Sequence, residues 1–168
     1  MDNYLWLLVV GLSLALMIGP VMMFKPSGRA RHLASLRQHA ASRGLRVRMG
    51  TYDHTGQARV MVAVYSTLMP SAQGQLSTQW CLRRQAMDHE IHFVASWDWD
   101  NSGEVAPQKQ HSGLKKYLLQ LDSSILAVEM SNHSLGLWWQ EKNLSVDEIQ
   151  QLLEQLKQLT TSEGEIVG

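Results

Sequence analysis

The sequence predicts an α+β fold: an N-terminal transmembrane helix followed by a small domain with a mainly antiparallel sheet covered by helices. Three observations carry this reading. The chain opens on an uncharged apolar run, and strand-type segments then follow one another through short turns. Helical periodicity interrupts them only near residue 112 and at the end. The 168 residues are 45% hydrophobic and 18% charged, too apolar for a disordered chain. A single cysteine, Cys81, excludes an internal disulfide framework and a thiolate cluster for zinc. The net charge of zero conceals a split: residues 1–59 carry eight basic and two acidic side chains, +6, and the remainder is −6.

From Tyr4 to Phe24 no residue is charged, a run of twenty-one. As a helix this reaches about 30 Å, the thickness of a bilayer's hydrocarbon core. The run lacks the basic leader and small-residue cleavage site of a signal peptide, so it is expected to be retained. Lys25, Arg29, Arg31, Arg37 and Arg43 follow it, with Arg46 and Arg48 beyond. Basic flanks stay on the cytoplasmic side, which places the N-terminus outside, the domain in the cytoplasm and the protein, if bacterial, in the inner membrane. Gly11, Ala15 and Gly19 share one helix face and form a small-residue stripe suited to helix packing, with a membrane-protein partner or a second copy.

The first five basic residues are also read as a membrane-surface patch. Nucleic acid is not expected as a partner, because the membrane accounts for the basic charge and the rest of the chain is acidic. Ser27 caps a helix that runs to about Ser42, where Gly44 stops it. The organisation is therefore a transmembrane anchor over 1–25, a basic juxtamembrane helix over 26–43, a cytoplasmic α+β domain over 44–160 and a flexible tail over 161–168.

Within the domain, residues 45–49 alternate apolar and polar, a short strand. Residues 58–68 are rich in β-branched side chains and end before Pro70, a second strand. Residues 77–84 and 90–99 read as a third and a fourth. Leu114, Leu118 and Leu121 then mark a helix over 112–122, and strands at 125–130 and 135–140 flank a hairpin. Ser145 and Glu148 form a capping box before Ile149, Leu152, Leu153, Leu156 and Leu159, which line one face of a final helix.

Motifs for chemistry are largely missing. His89 and His92 stand three apart on a strand-like segment, where a zinc-binding pair needs four on a helix. Asp98, Asp100, Ser102 and Gly103 open like a calcium loop, but Lys109 occupies the position of its closing glutamate. No nucleophile elbow or phosphate loop occurs. The sequence thus names no catalytic residue, no metal ligand and no cofactor. Trp138 and Trp139 are neighbours on a strand and must face opposite sides, which marks them as partner-binding aromatics. The function expected is a non-enzymatic adaptor or accessory subunit of a membrane complex. A membrane-tethered enzyme of unknown reaction and a ligand-sensing regulatory module are the alternatives.

Overall fold

The computed structural model describes residues 2–23, 27–53, 59–69, 79–85, 93–100, 103–131 and 133–161. The chain divides into two compact units, Met1–Ser35 and Leu36–Gly168. The first holds α1 (Asp2–Met23) and the start of α2 (Gly28–Ser42). Ser27 begins α2 as expected, its hydroxyl accepting the Ala30 N–H at 3.2 Å.

The transmembrane expectation is corrected here. Among the described residues no helix is long and apolar enough to cross a membrane. The single-pass anchor, the inner-membrane localisation and the N-out, C-in topology all rested on that span, and they fall with it.

The second unit is an α+β fold. Its sheet comprises β1 (Arg46–Tyr52), β2 (Val60–Leu68), β3 (Trp80–Arg84), β4 (Trp97–Trp99), β5 (Ile125–Ser131) and β6 (Ser134–Trp139). The strands lie in the order β1-β2-β6-β5-β3-β4, and every neighbouring pair is antiparallel. Helices α3 (His111–Gln120) and α4 (Val146–Thr161) pack against one face. The capping box starts α4: Glu148 N–H donates to the Ser145 hydroxyl at 3.3 Å, and Ser145 N–H donates to the Glu148 carboxylate at 2.7 Å. Gly44, at φ 78°, ends α2 in the left-handed conformation that glycine adopts freely.

Strand alternation sorts the sheet's side chains into two layers. Tyr65, Leu82, Val128, Leu137 and Trp139 face the helices and join Ala40, Leu114, Leu118, Ile149, Leu153 and Leu156 in the main core. The fourth strand is shorter than its sequence suggests. Residues 90–92 lie outside the described residues, and Val94 to Trp97 form a tight turn with Ala95 at φ 46°. The Asp98 carboxylate draws the chain back by accepting the Phe93 N–H at 3.2 Å.

The other face is sealed by side chains that lie flat, and two glycines make room for them. A Cβ on Gly50 would stand 2.6 Å from Trp138 Cη2, and one on Gly136 would stand 3.0 Å from the Glu129 side chain. Trp138 therefore reaches across Val64 toward β1, and its Nε1–H donates to Glu129 at 2.7 Å. The Arg48 and Arg83 guanidinium carbons lie 5.4 and 5.8 Å from the Trp138 ring centre. Tyr52 completes the layer by donating to the Arg84 carbonyl at 2.6 Å, and burial pushes its phenol up to about 12. Gly50→Ala should cost about 2 kcal/mol in urea unfolding, because the methyl displaces the indole. In a Trp138→Phe background, which lacks the distal ring atoms, the same change should cost measurably less. Equal costs in both backgrounds would contradict this packing.

Candidate functional site

The residues singled out from the sequence are not brought together. Gly11 and Ala15 are exposed on α1, and a Cβ at Gly11 would meet open space. The environment of Gly19 and all of Lys25 lie outside the described residues, as do His89 and His92. Arg29 and Arg31 are exposed on α2. Arg37 pairs with Glu141 at 2.6 Å, and Arg43 makes an exposed pair with Asp147 at 3.0 Å. Trp139 is fully buried, edge-on to Tyr65 at 5.1 Å, and Trp138 is 7% exposed beneath its arginines. Asp100 pairs with Arg83 at 3.0 Å, and Asp98 is held in the turn described above. No cluster of three or more His, Cys, Asp or Glu suited to a metal occurs among the described residues. Cys81 is shielded from water, which pushes its thiol up to about 11 and disfavours the nucleophilic thiolate.

Two features do converge, at the β1 side of the sheet. The first is a latch. Glu141 follows β6 in the left-handed conformation, φ 55°, which is costly for a residue with a side chain. Its carboxylate accepts Arg37 Nε and the second guanidinium nitrogen, each at 2.6 Å, and the Tyr65 hydroxyl at 2.9 Å. Only 7% of the Glu141 side chain is exposed. A bidentate fork in so dry a setting is a strong, directional tie. Burial and that carboxylate push the Tyr65 phenol well above its ordinary value. The latch fixes the end of α2, and Leu36 and Ala40 pack into the core beside it.

The second feature is the cleft that the latch shapes. It has a volume of about 360 Å³, with Arg37, Gln38 and Ala41 of α2 on one wall and Val47, Arg48 and Met49 of β1 on the other. β1 is an edge strand. All seven of its residues pair with β2, and among the described residues its outer edge has no strand partner. The opposite edge, β4, has only three residues. Met49, on the cleft wall, is 43% exposed, and Val60 and Met61 beyond it are 53% and 61% exposed. Met61 sits on the same sheet face as Met49 and Val47, because it pairs with Thr51. A larger hollow of about 590 Å³ runs along α4, but its lining is polar, chiefly glutamine and acid side chains with Arg43. It has neither an apolar wall nor a strand edge, so the β1 side is the better candidate.

Sequence reasoning missed this site. The alternation at 45–49 identified the strand, but edge position is a property of the assembled sheet. Glu141 carried no motif, since its partners lie 76 and 104 residues away. Compared with known protein families, with curated proteins and with solved structures, the chain matches none.

Glu141→Gln should lower stability by about 2 kcal/mol, less than for a fully buried pair because Arg37 keeps partial access to water. Amide exchange should rise in the last turns of α2 before it rises in α4. An unchanged urea midpoint would remove the latch.

Proposed function

We propose that the protein is a non-enzymatic adaptor whose α+β domain receives a partner protein along the β1 edge. The observation that carries this is a full-length edge strand, open on one side among the described residues, beside exposed Met49, Val60 and Met61. Folded proteins usually protect such edges by shortening, covering or charging them. β4 is short, with three residues, whereas β1 keeps its full length and carries only the exposed charges of Arg46 and Arg48. Methionine side chains are flexible and polarisable, and they suit a surface that must fit another protein. The polar groups near β1 support a structural role for themselves: Glu141 and Glu129 hold arginines, and Tyr65 and Tyr52 are engaged by hydrogen bonds.

A photo-crosslinking residue placed at Met61 tests the reading, with Glu154 on the polar flank of α4 as control. The expected result is one stoichiometric partner captured from position 61 and not from 154, with capture lost in Met49→Lys while the fold is kept. Equal capture at both positions, or capture that Met49→Lys leaves intact, would overturn it.

A further inference from the structure

We infer that the β1 edge takes an extended peptide segment whose side chains alternate acidic and apolar, added to the sheet as a seventh strand. This rests on the docking reading and names the chemistry of its occupant. An added strand would lie about 4.8 Å from β1, using the main-chain donors and acceptors that β1 turns outward. Its side chains would fall alternately on the two faces of the sheet, beside those of β1.

The two faces of β1 differ in kind. Arg46 and Arg48 lie on the face away from the helices, together with Tyr52. Arg46 is exposed and has no ion pair among the described residues. The Arg48 side chain remains 52% exposed although it touches Glu129. Val47 and Met49 lie on the opposite face, where Arg37, Gln38 and Ala41 of α2 line the facing wall of the cleft and the Arg37 charge is already met by Glu141. A segment that fits must therefore present carboxylates on one side and apolar groups on the other. A second copy of β1 fits poorly, since it would bring two more arginines and no carboxylate.

The test uses the full-length chain and a fluorescein-labelled heptapeptide alternating Val and Glu, followed by anisotropy. Saturable binding is expected, weakened about tenfold by Arg46→Glu. In that variant a heptapeptide alternating Val and Lys should regain what the acidic peptide loses. Methylating alternate peptide nitrogens in one phase should abolish binding, and in the other phase leave it intact, because only one set of N–H groups faces β1. Absence of saturable binding, equal binding of the lysine peptide to the unaltered chain, or indifference to the methylation phase would overturn the proposal. If crosslinking from Met61 still yields its partner in that event, the docking reading stands and only the occupant's chemistry is wrong. If both fail, the docking reading falls too.

Discussion

The β1 side of the domain depends on one buried carboxylate. Glu141 sits in a backbone conformation that disfavours side chains, and the Arg37 fork with the Tyr65 hydroxyl holds it there. This interaction links three parts of the chain that lie far apart in sequence: the end of α2, the middle of β2 and the loop after β6. With α2 fixed in this way, its last turns form one wall of a cleft whose other wall is β1. The cost of holding a charged pair away from water is offset here by geometry, since both carboxylate oxygens are satisfied.

The rest of the sheet explains why β1 can stay open without exposing the core. The main core lies between the sheet and the helices, and the reverse face is closed by its own side chains. Gly50 and Gly136 leave the space in which Trp138 and Glu129 lie down, and arginines complete the layer. The reverse face is therefore sealed by a thin sheet of aromatic and charged groups. The β1 edge and its flanking methionines stay exposed beside that sealed face.

Much of this fold was legible in the sequence. The strand at 45–49, the β-branched run to Leu68, the strand pair of β5 and β6 and the capping box at Ser145 each rest on local chemistry, so they could be read locally. The fourth strand was overextended because the turn at Ala95 has no glycine or proline to announce it. The apolar N-terminal run was read by length and composition as a membrane span, and that reading is set aside among the described residues. The basic residues after it were read together as one patch. Arg37 and Arg43 also pair with Glu141 and Asp147, more than a hundred residues further along, which no local pattern announces. Long-range pairing of this kind, and the identity of an edge strand, arise only when the sheet is assembled.

The most direct test of this account is residue-resolved amide hydrogen exchange along Arg46–Tyr52 in the unliganded chain. An edge strand with one partner turns alternate N–H groups inward to β2 and outward to solvent. The expected result is slow and fast exchange in strict alternation over these seven residues. Uniformly slow exchange across the strand would mean that the outer edge is already occupied, and would contradict the claim that β1 is free to receive a partner.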